Sequence, residues 1–156
     1  SVMFCLSKGL SAPVGSLVCG SGEFIKRARK FRKMVGGGMR QAGHLAAAGL
    51  VALESLVDRL KDDHLHAKVL ADKLASTKGV ELDQNGVKSN IIFFKMNHPH
   101  IDGDQFLNQL EEKSIKILMT DPGVFRAVLH REISKDQVET VAHAIDSILN
   151  AEGATK

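Results

Sequence analysis

Short apolar runs alternate along this chain with longer segments in which apolar side chains return every three to five positions, and that alternation restricts the fold more than any other feature of its 156 residues. Continuous or alternating apolar runs bounded by Gly and Pro form strands, whereas returns at three and four positions form helices with one stripe to bury. A chain that switches repeatedly between the two must pack helices on sheet, so the fold class is α/β, in two packed parts.

The first run, Val2, Met3, Phe4, Cys5 and Leu6, predicts a strand over residues 1–7 buried on both faces. Lys8 ends it. Lys8-Gly9-Leu10-Ser11-Ala12-Pro13-Val14-Gly15 is turn material, and residues 16–19 predict a second strand, so two strands flank the lysine. Residues 23–34 predict a helix with Glu23 at the positive end of its dipole and basic residues toward the other end. Gly36-Gly37-Gly38 stops it. The following series, Ala42, Leu45, Ala46, Ala47, Ala48, Leu50, Val51, Ala52 and Leu53, is apolar almost all round, the mark of a buried or subunit-packing helix.

An amphipathic helix is expected over about residues 57–76, on Leu56, Leu60, Leu65, Val69, Leu70 and Leu74, and marks the passage into a second domain. Strands follow at 80–82 and 91–94, the latter ended by His98-Pro99. Asp102 or Asp104 caps a helix through Phe106, Leu107 and Leu110. Residues 115–119 and 124–129 predict a hairpin about Thr120-Asp121-Pro122-Gly123. Ser134 caps a closing helix whose face is Val138, Val141, Ala142, Ile145, Ile148 and Leu149, and the tail after Asn150 is expected to fray. Residues 1–56 hold too few strands for a complete sheet, and Ser1 is not an initiator methionine, so the expectation is that further chain precedes them.

No apolar stretch free of charge is long enough to cross a bilayer and the start lacks the zones of a secretory signal, which favours an intracellular, cytoplasmic location, with the mitochondrion as alternative. Cys5 and Cys19 are too few for a disulfide framework and lack metal-ligand spacing, so buried free thiols are expected. Six of the 21 basic residues crowd into residues 26–33, leaving 15 against 18 acidic ones elsewhere. Such a patch suits phosphate, on nucleic acid or on a small ligand. With no Trp or Tyr in the chain and only Phe31 inside the cluster, base stacking has little support and no nucleic-acid partner is expected. His64 and His66, like His98 and His100, are spaced by two without a cysteine or carboxylate cluster, and no metal is expected. Ser7 and Ser16 lack the histidine and acid of a hydrolase.

Lys8 is a candidate for chemistry. Burying an unpaired ammonium at the lip of a strand is costly, and a desolvated amine is free to attack an aldehyde. On that pattern alone, a solvated or salt-bridged lysine is the commoner outcome, and a Schiff-base lysine stands as the alternative.

The wording of the segment adds more. Ser1-Val2-Met3-Phe4-Cys5-Leu6-Ser7-Lys8-Gly9-Leu10-Ser11-Ala12-Pro13-Val14-Gly15-Ser16 closely resembles the cofactor-lysine motif of the L-threonine aldolases. RKFRKMVGGGMRQAGHLAAA, residues 29–48, resembles that family's next block, and Phe125-Arg126-Ala127-Val128 with His130 resembles its block near the carboxyl end. The resemblance implies the second half of a fold-type-I pyridoxal-phosphate enzyme: residues 1–56 end the large cofactor-binding domain, and 57–156 form a small carboxy-terminal α/β domain. It implies a carbon–carbon lyase, usually a homotetramer, that cleaves L-threonine or L-allo-threonine to glycine and acetaldehyde by retro-aldol chemistry. Lys8 would bind pyridoxal 5'-phosphate as a Schiff base and Arg126 would grip the substrate carboxylate. Arg40 and Lys33 would lie near the cofactor phosphate or the site entrance, partly reached from a neighbouring subunit.

Three positions depart from the family's pattern: Ser11 replaces a usual glycine, Leu129 a common threonine and Glu132 a common aspartate. The family's stacking histidine, the acid that pairs with the pyridine nitrogen and a further carboxylate-binding arginine lie upstream of the motif that begins at Ser1. A truncated, catalytically incomplete paralogue that keeps an assembly surface around residues 36–53 is therefore the alternative reading.

Overall fold

The computed structural model describes residues 1–150. It divides into two compact units, Ser1–Leu60 and a second that begins at Lys61.

In the first unit β1 (Val2–Cys5) pairs antiparallel with β2 (Ser16–Cys19), Phe4 opposite Leu17 and Cys5 opposite Ser16. Burial on both faces is not what the strand shows, since Val2 is 66% and Met3 65% exposed. Among the described residues the pair has no third strand, and no second layer of the kind a buried strand needs covers its apolar side chains. Cys5 is half-buried and Cys19 exposed, free as expected but not buried, because both ride on this uncovered pair.

Helix α1 (Gly22–Met34) starts at Ser21, whose Oγ accepts from the Phe24 N–H at 3.3 Å. Its far end closes with Gly37 N–H donating to the Arg32 carbonyl at 2.8 Å and Gly36 N–H to that of Lys33 at 3.2 Å. This 6→1 and 5→2 pair requires a left-handed residue at position 36, and Gly36 has φ +81°. Helix α2 (Gly43–Ser55) buries only Gly49 and Ala52. Of the two expectations for it, buried or subunit-packing, burial within this unit is not what the helix shows: Leu6, Leu10 and Ala12 cover one face through Ala52, leaving Leu50, Val51 and Leu53 exposed.

Helix α3 (Leu60–Ser76) begins later than its apolar pattern, because the Val57 carbonyl accepts from the Leu60 N–H at 3.1 Å and makes residues 57–59 a turn. Its buried apolar stripe is Ala67, Leu70, Ala71 and Leu74, and Leu65, off that stripe at 100° per residue, is 59% exposed. Four antiparallel strands, β3 (Val80–Glu81), β4 (Ile91–Met96), β5 (Leu118–Asp121) and β6 (Val124–Val128), form one sheet in the order β3-β4-β6-β5. Strand β4 outruns its apolar core because Lys95 and Met96 pair with β3. Strand β5 starts later than expected, since the Ile115 N–H bonds to the Leu110 carbonyl at 2.9 Å and closes α4 (Gly103–Glu112).

Of the two acids offered as caps for α4, Asp102 serves, in a reciprocal capping box with Gln105. Ser134 and Gln137 make the equivalent exchange at 3.2 and 2.8 Å before α5 (Lys135–Asn150). The tail after Asn150 lies outside the described residues.

Strand parity sorts the sheet into two faces. Ile92, Phe94, Met96, Phe125 and Ala127 point into a core shared with α3, α4 and α5, while Phe93 and Lys95 are exposed and Arg126 half-buried on the other side. Phe125 sits at the centre of the core, its ring 5.4 Å from that of Phe94 and 5.0 Å, edge-on, from that of Phe106. Phe125→Ala is expected to lower stability by about 3–5 kcal/mol, read from denaturant unfolding. On the open face, Phe93→Ala is expected to cost about 0.5 kcal/mol or less in the same measurement.

Candidate functional site

The Lys8 loop is built by its apolar residues. Leu6, Leu10 and Ala12 are each 8% exposed and join Ala52 of α2 in a small core, with Phe4 and Leu60 packed against it. Three backbone bonds close the loop: Leu6 N–H to the Gly15 carbonyl at 2.9 Å, Ala12 N–H to that of Leu6 at 3.0 Å, and Ser11 N–H to that of Lys8 at 2.8 Å. Gly9 lets the loop lie close to Leu60, since a Cβ there would meet Leu60 Cδ2 at 2.8 Å. Lys8 is left on the outside. It is exposed rather than desolvated in this unit, because its neighbours at positions 6, 10 and 12 occupy the buried sites. What the loop provides is a primary amine held on a closed, anchored backbone.

Lys33 and Arg40 stand on either side of the triple glycine, both exposed. A Cβ at Gly38 would lie 3.1 Å from Lys33 Cδ and 3.3 Å from its Nζ. The lysine therefore folds back over the glycine backbone, an approach that a side chain at position 38 would crowd. Gln41, beside Arg40, has the left-handed φ of 54°, an uncommon conformation for a residue with a Cβ. The loop thus presents an ammonium at one end and a guanidinium at the other, the charges that suit a phosphate. The other cations of α1 are also exposed, and none of its residues is buried.

Arg126 belongs to the second unit, in the middle of β6. Its register partners are Phe93 on β4 and Leu118 on β5. Among the described residues the ion pairs Lys73–Glu139 at 2.7 Å and Lys116–Glu111 at 3.2 Å leave the half-buried Arg126 without a carboxylate. Period-two parity along residues 91–96 is the signal that places Phe93 on the side of Arg126, while Leu118 reaches it only through the β5–β6 pairing. Of the positions that depart from the resembled pattern, Leu129 is a core residue at 5% exposure, tied by its N–H to the Asn90 carbonyl at 2.9 Å. Glu132 is exposed.

Among the described residues no group of three or more His, Cys, Asp or Glu side chains is placed to hold a metal ion. No described helix is long and apolar enough to cross a membrane.

Comparison with known proteins matches residues 1–97 to the family model described as beta-eliminating lyase. The chain is 42% identical over 139 residues to low-specificity L-threonine aldolase 1 of Arabidopsis thaliana, covering 88% of this chain and 39% of that protein. It is 40% identical over 144 residues to the low specificity L-threonine aldolase of Escherichia coli strain K12, covering 91% of this chain and 40% of that protein. The chain thus spans about two-fifths of the length of these relatives. Among solved structures, it is similar to a putative L-allo-threonine aldolase of Listeria monocytogenes, with a TM-score of 0.73 at 17% identity, over 93% of this chain and 43% of that one. The aminotransferase TlmJ of Streptoalloteichus hindustanus gives the same TM-score, 0.73, at 17% identity over 96% of this chain and 52% of that one. At these identities the likeness is one of fold, the fold-type-I architecture of pyridoxal-phosphate enzymes.

Ser11 bears directly on the loop. Its φ is 60°, the left-handed region where a Cβ costs about 1–2 kcal/mol and glycine costs little. Ser11→Gly relieves that strain while loosening the unfolded chain, and is expected to raise stability by about 0.5–1 kcal/mol, measured as an upward shift of the unfolding midpoint.

Proposed function

The chain belongs to the beta-eliminating lyase family, and from that premise we propose that it forms part of a pyridoxal-phosphate-dependent carbon–carbon lyase that cleaves L-threonine or L-allo-threonine to glycine and acetaldehyde. The observation that carries the reading is the motif loop around Lys8, closed by three backbone bonds and anchored through Leu6, Leu10 and Ala12, which fixes where the amine starts; the desolvation expected of Lys8 is not supplied by this unit.

The residues fit the cofactor by their chemistry. Lys8 offers the amine that an aldehyde requires, and Lys33 and Arg40 offer cations beside a glycine backbone that a phosphate can approach. When bound, pyridoxal phosphate supplies an electron-withdrawing ring able to take up the electron pair released by a broken Cα–Cβ bond.

The chain's own residues have the following work. Lys8 Nζ is the covalent attachment point, and the anchoring of its loop limits the directions its side chain can take. Lys33 and Arg40 neutralise phosphate charge from the two ends of the triple-glycine loop. Arg126 binds the α-carboxylate of the amino acid: its guanidinium is planar, offers two parallel N–H donors, and has no carboxylate partner among the described residues. The exposed apolar residues of α2, Leu50, Val51 and Leu53, support a homo-oligomeric assembly, for which we propose a tetramer.

The test is made on the intact protein with pyridoxal phosphate. Threonine is expected to yield glycine and acetaldehyde, and Lys8→Ala to abolish both that activity and the visible absorption band of the lysine-linked cofactor. A band that survives Lys8→Ala removes Lys8 from its role, and assembly without any threonine cleavage favours the catalytically incomplete paralogue. Arg126→Lys keeps the charge and loses the bidentate geometry. It is expected to raise KM for threonine roughly tenfold or more, the loss of a charged hydrogen bond being worth about 1.5–3 kcal/mol.

A further inference from the structure

The surroundings of Arg126 are as informative as the residue itself. Side chains two positions apart on a strand share a face, so Val124 and Val128 stand on the same side of β6 as Arg126. Across the ladder its partners on that face are Phe93 and Leu118. All four nearest positions around the arginine are therefore apolar, and Phe93 (54%), Leu118 (54%) and Val128 (40%) are exposed. Two charges lie one pair further along the register, both opposite Val124: Lys95 on β4, a second cation, and the exposed Asp121 on β5, set off by the register shift after Met119.

On this sheet face, which the unit's helices do not cover, the guanidinium is bordered by large apolar side chains that compete with water for the space beside it but offer it no hydrogen-bond acceptor. We infer that Phe93, Leu118, Val124 and Val128 form an apolar collar that positions Arg126 for a carboxylate ligand. The collar packs along the aliphatic stem of the arginine and holds the guanidinium away from the sheet. It also thins the water around the charge, and a charged hydrogen bond strengthens as the local dielectric falls. The four are positioning residues, acting through Arg126, and the inference rests on the reading of Arg126 as the carboxylate-binding group.

The experiment measures, in the intact protein, Kd for glycine by calorimetry and KM for threonine, each at low and high salt, with glycinamide as the ligand that lacks the carboxylate. Phe93→Ser and Leu118→Ser are each expected to weaken glycine binding and raise KM roughly tenfold, as for a weakened charged hydrogen bond. The change falls on KM more than on kcat, and binding becomes more sensitive to salt because a wetter pair is screened more. Phe93→Leu, which keeps an apolar neighbour, restores most of the affinity, and glycinamide binds the variants and the parent alike.

Unchanged Kd and KM in both serine variants, alongside weakened binding in Arg126→Lys, would overturn the collar and leave Arg126 in its role. If Arg126→Lys binds glycine as the parent does, the reading of Arg126 fails and the collar falls with it. Loss of kcat and of thermal stability together, with Kd unmoved, marks a merely structural role and equally overturns the inference.

Discussion

Where β4, β6 and α4 meet, the rings of Phe94, Phe125 and Phe106 close on one another, and the second unit is organised around that contact. Phe125 is fully buried, and its strand neighbours obey the alternation it imposes: Ala127 inward, Val124, Arg126 and Val128 on the other side. A slip of one residue in the register would turn the phenyl ring out and the guanidinium in, exchanging a large hydrophobic gain for an unpaired buried charge. The position of Arg126 is therefore held by residues on the opposite face of the sheet.

The first unit uses the same device on a smaller scale. Leu6, Leu10 and Ala12 bury against Ala52, and the chain between them has nowhere to go but outward, carrying Lys8 with it. Glycines act where backbone must pass close or turn left-handed: Gly9 beside Leu60, and Gly36 at the end of α1. Ser11 adopts a left-handed φ without being glycine, so the loop keeps its shape at some cost in backbone strain.

Much of this was legible along the chain. The caps at Ser134 and Asp102 are short-range signals, a polar side chain set three residues before a glutamine, and both are where the residues imply. The turn at Asp121-Pro122-Gly123 is equally local, with Gly123 at φ +73°. Lys8, Lys33, Arg40 and Arg126 stood out by motif. The collar around Arg126 did not, because Phe93 and Leu118 lie far from it in sequence and become its neighbours only through strand pairing. The burial of β1 was overestimated for a related reason: an apolar pattern states what a segment can bury, not which layer is there to cover it.

By itself the sequence determined the kinds of element, their order, most of their caps and the residue types able to do chemistry, since these rest on side-chain periodicity and hydrogen bonds within a few residues. Only the tertiary structure decided which face of the sheet is covered, that Lys8 points outward from its loop, and which apolar side chains surround Arg126. Those outcomes depend on contacts between segments distant in sequence, where total buried area and strand register are chosen together.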